Sequence, residues 1–204
     1  MRVSKEKAAE HRQEILNSAA RLFREQGIAA TGVDSITEDA GLTHGAVYSQ
    51  FGSKEAITVE SIRLAMKDSK RSWQRMAARR GERTILTAIV ETYLSRRHRD
   101  APGQGCLVAA LAGDISRQPK NVRDAFTVEF KESLDYLTEL AASDDASVGL
   151  ENTVATFASM AGAMMLARAI SDEPLSELIL KATAKWITRC AKAKRVPGDL
   201  KRAD

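Results

Sequence analysis

Thr43, His44, Tyr48, Gln50 and Lys54 crowd into one short stretch, and each can hydrogen-bond a phosphate or the edge of a base. Tyr48 lies four residues after His44, so a helix places both on one face. Gly45 lacks a side chain, which lets the start of such a helix approach a bulky partner closely. Thr43 is a residue type that caps a helix through its hydroxyl. Lys54 stands at the start of the following helix, where its ammonium opposes the helix dipole unless an anion is near, and a phosphate would satisfy both. Catalytic constellations are missing by contrast. The three histidines, His11, His44 and His98, have no Ser/Asp or Cys partner at a spacing that makes a nucleophilic set. No metal-ligand spacing or phosphate loop occurs, so neither an enzyme, a cofactor nor a metal is expected.

Cys106 is the other reactive candidate. It follows Pro102-Gly103-Gln104-Gly105 and opens an apolar helix, where free N–H groups and the helix dipole favour a thiolate. Arg96, Arg97, His98 and Arg99 lie just upstream and add positive charge. One reading is a sensor of oxidants or electrophiles. The other is a small buried core residue, the usual place of a free cysteine. Cys190 reads as interface or core packing. Two cysteines make no disulfide framework and no zinc pattern, which fits a reducing cytosol.

These side chains must be held by helices. Strand alternation and Asn-Gly or Asp-Gly turns are nearly absent, while helical periodicity recurs, as in Ile15, Ala19, Leu22 and Phe23 on one face. Gly27 ends that first helix. Five of the twelve glycines lie between residues 27 and 52, so helices there must be short. Thr31 and Asp34 match a capping box ahead of a helix Val33–Ala40 that buries Val33, Ile36 and Ala40. Gly41 supplies a tight turn. A second short helix, about 44–50, turns Val47 inward, with Phe51 as an anchor. Two short helices joined by a glycine turn outline a helix-turn-helix, whose second helix enters the major groove. Longer helices follow at about 53–79, 83–99, 106–116, 120–142, 148–170 and 175–195. Pro119 and Pro174 sit at helix starts, where a missing N–H costs least. The tail from Pro197 is expected to fray. Arg2, Lys5 and Lys7 read either as a basic arm near a minor groove or as an unstructured start.

The chain has 204 residues and a net charge of +4, a length that favours one domain or one with a small appendage. Residues 1–54 are neutral overall, with seven Lys/Arg against seven Asp/Glu, whereas 61–100 carry eleven against four. Total charge is therefore weak evidence for a nucleic-acid surface. The longest apolar or glycine run, Met160–Ala167, is far short of the ~18 residues a membrane span needs. No N-terminal stretch joins a basic flank to an apolar block and a cleavage site, so a cytoplasmic protein is expected.

From about Ile15 to Lys54 the sequence resembles the DNA-binding domain of the TetR family of bacterial transcriptional regulators. The likeness rests on Ala19-x-x-Leu22-Phe23-x-x-x-Gly27, Thr31-x-Val33-x-x-Ile36, Ala40-Gly41-Leu42-Thr43-x-Gly45-Ala46-Val47-Tyr48-x-x-Phe51 and Ser53-Lys54. It covers about a quarter of the chain; the remainder is similar only in length and helical character. The resemblance implies an all-α fold with an N-terminal three-helix DNA-binding module over 1–54 and a larger ligand-binding and dimerisation domain over 55–204. It implies a homodimeric repressor released from double-stranded operator DNA by a small-molecule effector. Carried over residue by residue, the DNA contacts fall on Thr43, His44, Gly45, Tyr48 and Gln50, with Lys54 on phosphate. The family often has an aromatic or histidine pair between Tyr48 and Phe51, where this chain has Ser49-Gln50, and a basic or polar residue at Gly52. NemR-like electrophile sensors of the family carry a reactive cysteine in a glycine-flanked place comparable to Cys106.

Residues 148–170 show two apolar stripes, one of Val154, Phe157, Ala158, Ala161 and Met165, the other of Ala155, Ser159, Gly162 and Leu166. Residues 175–195 offer Leu178, Ile179, Ala182 and Trp186 alongside Leu180, Ala184 and Ile187. A helix apolar on two faces must bury both. One can face its own core and the other a partner, which gives a four-helix dimer interface; a central core helix in a monomer is the alternative. Trp73, Met76, Tyr93, Phe126, Phe130 and Met160 are candidates for an effector pocket, though each side chain also suits ordinary core. Besides a DNA-binding regulator, the rival classes are a helical enzyme and an interaction module without DNA.

Overall fold

The computed structural model describes residues 5–193 and, for side chains, 5–190. Arg2 and the tail from Pro197 lie outside the described residues. Within them the chain is helical throughout: α1 Lys5–Gln26, α2 Val33–Asp39, α3 His44–Phe51, α4 Lys54–Ala78, α5 Ile85–Tyr93, α6 Arg96–Asp100, a 3-10 turn at Pro102–Gln104, α7 Leu107–Ile115, α8 Lys120–Ala142, α9 Leu150–Ala169 and α10 Glu173–Ala193. They fall into two compact units. Among the described residues, one comprises those up to Ser72 with Asp100–Ser133, the other Trp73–Arg99 with those from Leu134 onward.

In the first unit α1 is the hub and packs against α2, α3, the 3-10 turn and α7. Its stripe of Ile15, Ala19, Leu22 and Phe23 is buried, as are Ile36, Val47, Ile57 and Met66 from the next three helices. Gly27 closes α1 with φ +87°, its N–H returning to Phe23 O at 2.8 Å. Two polar ties then fix the end of α1. Arg24 Nε donates to Gly103 O at 2.8 Å, and Ile28 N donates to Asp114 Oδ2 at 2.9 Å.

In the second unit α10 packs against α9 and α5. The rings of Trp73 and Tyr93 meet Phe157 edge-on, with centroids 6.1 and 6.4 Å away. Thr84 caps α5 by accepting from Thr87 N at 3.1 Å, and Asp144 Oδ2 accepts from Ile85 N at 2.8 Å.

Three local expectations are corrected. The helix expected over 83–99 is two helices, broken at Leu94 (φ −85°, ψ 55°). Ser95 starts the second one, its Oγ accepting from His98 N at 3.3 Å. Thr31 does not form a capping box with Asp34. It is buried, and its hydroxyl donates back to Gly27 O at 2.8 Å, while Gly32 is the residue that precedes α2. In α9 the inward face runs through Phe157, Met160, Ala161 and Met164, whereas Val154, Ala158 and Met165 point outward. The expected stripe mixed two faces.

Candidate nucleic-acid interface

Gly41 makes the turn between α2 and α3, with φ +65°, a conformation that a side chain disfavours. Its N–H bonds Glu38 O, and Leu42 N bonds Thr37 O at 2.9 Å. Thr43 takes the position before α3 with extended backbone (φ −88°, ψ 152°), but its hydroxyl makes no capping bond. Thr43 is exposed, so the side chain expected to cap α3 stays at the surface.

Val47 anchors α3 inward at 1% exposure, while the next residue, Tyr48, is 48% exposed. His44 and Gly45 are exposed as well. The His44 and Tyr48 rings lie together, with centroids 4.9 Å apart and planes tilted by 46°, as the four-residue spacing requires. An added Cβ at Gly45 would meet no atom within 4 Å, so the protein's own packing does not demand glycine there. Thr43, His44, Gly45 and Tyr48 therefore share one exposed surface at the start and middle of α3.

Gln50 departs from that surface. It is half-buried, and its amide Nε2 donates to Ala8 O at 3.2 Å. Standing near the end of α3, it faces α1 and holds the helix rather than extending the outward set. Lys54 opens α4, half-buried, and makes no ion pair among the described residues. Ser53 caps that helix, its Oγ accepting from Ala56 N at 3.1 Å.

Arg12 was not singled out from the sequence, yet it ties α1 to both α3 and α4. Its Nη1 donates to Gln50 O at 2.7 Å, and its guanidinium carbon lies 4.1 Å from the centre of the Phe51 ring. Its Nη2 pairs with Glu60 of α4. A guanidinium at the C-terminal carbonyls also complements the α3 dipole. Arg21 makes a second tie, to Asp39 of α2 and to Glu25. Hydrogen bonds from Ser18 and Arg21 hold the Asp39 carboxyl below its ordinary range. No sequence signal distinguishes Arg12 from the other charged residues of α1, because its partners are 38 and 48 residues away.

The candidate effector residues divide between the units. Trp73, Tyr93 and Met160 are buried in the second. In the first, Phe126 and Phe130 stack with centroids 5.4 Å apart, and Cys106 is half-buried at the residue preceding α7.

A short helix, a glycine turn and an outward-facing second helix, braced by α1, define a helix-turn-helix module. Residues 15–60 match the family described as bacterial regulatory proteins, TetR family. It is 42% identical over 64 residues to the HTH-type transcriptional regulator AcrR of Shigella flexneri, spanning 31% of this chain and 30% of that protein. It is 37% identical over 82 residues to the HTH-type transcriptional repressor KstR2 of Rhodococcus jostii (strain RHA1), spanning 40% of each. The matched segments thus cover less than half the length of these relatives. Among solved structures, E. coli NemR in its reduced form gives a TM-score of 0.72 at 18% identity, covering 88% of this chain and 96% of that one. A TetR regulator of Chloroflexus aurantiacus gives 0.72 at 22% identity, covering 90% and 97%. At such identities the likeness concerns the fold. No helix among the described residues is long and apolar enough to cross a membrane.

Proposed function

We propose that the protein is a DNA-binding transcriptional repressor that acts as a cytoplasmic homodimer and leaves its operator when a small molecule binds. The observation that carries this reading is the outward face of α3. A half-exposed tyrosine, an exposed histidine and a glycine that internal packing does not require stand together on a helix pinned by Val47. Thr43, His44, Gly45 and Tyr48 take the DNA contacts and Lys54 a phosphate. Gln50 acts by holding α3 against α1. The domain division is that proposed from the sequence, a DNA-binding segment over 1–54 and an effector and dimer segment over 55–204. Trp73, Tyr93, Cys106, Phe126, Phe130 and Met160 remain the residues to test for the effector. An effector lowers DNA affinity only by its differential binding to two states, and a useful coupling is ~1–3 kcal/mol or more.

A gel shift with the duplex upstream of the protein's own gene tests this reading. Wild type should retard it, and Tyr48→Phe and Lys54→Ala should weaken the shift with helicity intact. Unchanged affinity in both removes these residues from the interface. No retardation of any duplex from the locus overturns DNA binding.

A second reading makes Cys106 the input, as an oxidant- or electrophile-sensing thiol. It is favoured by the position of Cys106 at the residue that precedes α7. The pH dependence of alkylation decides. A rate rising only near an ordinary cysteine pKa of ~8.5 discards the sensor.

A further inference from the structure

The helix-turn-helix is short of positive charge. α3 contains no lysine or arginine, and α2 carries Asp34, Glu38 and Asp39 with no base, yet neutralised phosphates supply a large share of the affinity of a protein for duplex DNA. Six cations lie between residues 5 and 54. Three are committed inside the fold: Arg12 to Gln50 O and Glu60, Arg21 to Asp39 and Glu25, and Arg24 to Gly103 O. Lys54 opens α4. Lys5 opens α1, exposed and with no ion pair among the described residues. We propose that Lys5 takes a backbone phosphate beside the C-terminal end of α3, and that Gln50 is the positioning residue that docks the first turn of α1 there. The inference rests on the DNA-binding reading of α3.

Two hydrogen bonds fix the placement. Gln50 Nε2 donates to Ala8 O at 3.2 Å, and Arg12 Nη1 donates to Gln50 O at 2.7 Å. Lys5, Ala8 and Arg12 follow one another at steps of three and four residues, so they share one side of α1. Ala8 and Arg12 bond the last turn of α3, and Lys5 is the next member of the row, one turn nearer the start of α1. α3 has eight residues, a length of about 12 Å at ~1.5 Å per residue, and the major groove is ~12 Å wide. With the start of α3 at the bases, its last turn stands at the wall of the groove, which is a phosphate strand. The four-carbon stem of Lys5 carries its ammonium to that strand as a point charge that reads no sequence. Arg12 bonds the main chain of Gln50, so it still holds α3 when the Gln50 amide is removed, and only the start of α1 is released.

Salt dependence reads this contact. The full-length protein is titrated onto the duplex upstream of its own gene between about 50 and 200 mM salt, and log K is plotted against log salt concentration. Lys5→Ala should flatten the slope by about 0.9 for each half-site occupied, while duplexes with single base changes keep their wild-type order of affinity. Lys5→Arg should keep the wild-type slope. Gln50→Ala should flatten the slope as much as Lys5→Ala does, and the double variant should be no flatter than either single one, because both remove the same contact. A merely structural Gln50 would lower affinity by one factor at every salt concentration, and its effect would add to that of Lys5→Ala. The inference is overturned if Lys5→Ala or Gln50→Ala keeps the wild-type slope, or if the double variant loses the sum of the two. Should wild type retard no duplex, the DNA-binding reading falls and this inference with it.

Discussion

Two residues of the reading head make opposite demands on stability and binding. Gly45 lies inside a helix, with negative φ and empty space where a Cβ would stand. Glycine there costs the helix about 0.5–1 kcal/mol relative to alanine. Gly45→Ala should therefore raise the unfolding free energy measured in urea by that much while weakening operator binding at least severalfold. A stabilised variant with full affinity would show that α3 does not approach DNA at this residue. Arg12 makes the contrary case. It bonds the last turn of α3, covers Phe51 and reaches Glu60, yet it does not lie on the exposed face of α3. Arg12→Ala should cost about 1–2 kcal/mol in stability, from a lost cation–π contact and a charge-assisted hydrogen bond. It should also lower operator affinity, because α3 loses its fixed angle. Arg12→Lys keeps the charge without the planar fork and should fall between the two.

Helix boundaries were legible where the chain itself enforces them. Gly27, Gly41, Pro119 and Pro174 mark ends that the structure keeps, since φ > 0 or a missing N–H acts regardless of tertiary context. Val47 inward and Tyr48 outward followed from periodicity alone. The division of the helix expected over 83–99 did not. Its polar groups are satisfied by residues distant in sequence. Arg168 donates to His98 O at 2.7 Å and to Arg99 O at 3.1 Å, and Arg99 reaches Ser176 Oγ at 2.9 Å. A five-residue helix persists because side chains of α9 and α10 take up its ends. His98 packs edge-on against the Tyr93 ring, 4.4 Å between centroids, with Nδ1 2.7 Å from Tyr93 O. Burial pushes its pKa down, the Tyr93 carbonyl opposes the shift, and Arg168 adds to it. The unfolded chain, with a histidine pKa near 6.5, then binds more protons than the folded one as pH drops. Stability due to this group is complete above about pH 6.5 and is lost as pH falls through the depressed value. Wild type should lose more of its urea midpoint between pH 7.5 and 5 than His98→Asn, whose amide can still donate to Tyr93 O. Equal losses would show that His98 does not carry this linkage.

At the scale of the whole molecule, α9 and α10 each present two faces, and only one is covered among the described residues. Leu180 and Ile187 are buried on α10, while Leu178 and Trp186 are 59% and 60% exposed. On α9, Val154, Met165 and Leu166 also remain exposed. The α10 stripes were read correctly because its polar residues separate the two faces; α9 is apolar nearly all round, so its period gave no phase. Burying a large apolar side chain contributes roughly 1.5–3 kcal/mol, and a second copy of the chain offers the same stripe in return, as a two-fold interface requires. Two copies are also what a near-palindromic site with half-sites one DNA turn, ~34 Å, apart requires. Trp186 reports on this directly. With Trp73→Phe removing the other, buried indole, Trp186 is the remaining tryptophan. Its emission should shift to the red on dilution as the dimer separates. Trp186→Glu should sediment as a monomer, change stability by no more than about 0.5 kcal/mol at this exposed position, and lose affinity for a two-half-site duplex far more than for a single half-site. A Trp186→Glu protein that still sediments as a dimer, with equal losses on both duplexes, would place the subunit interface elsewhere.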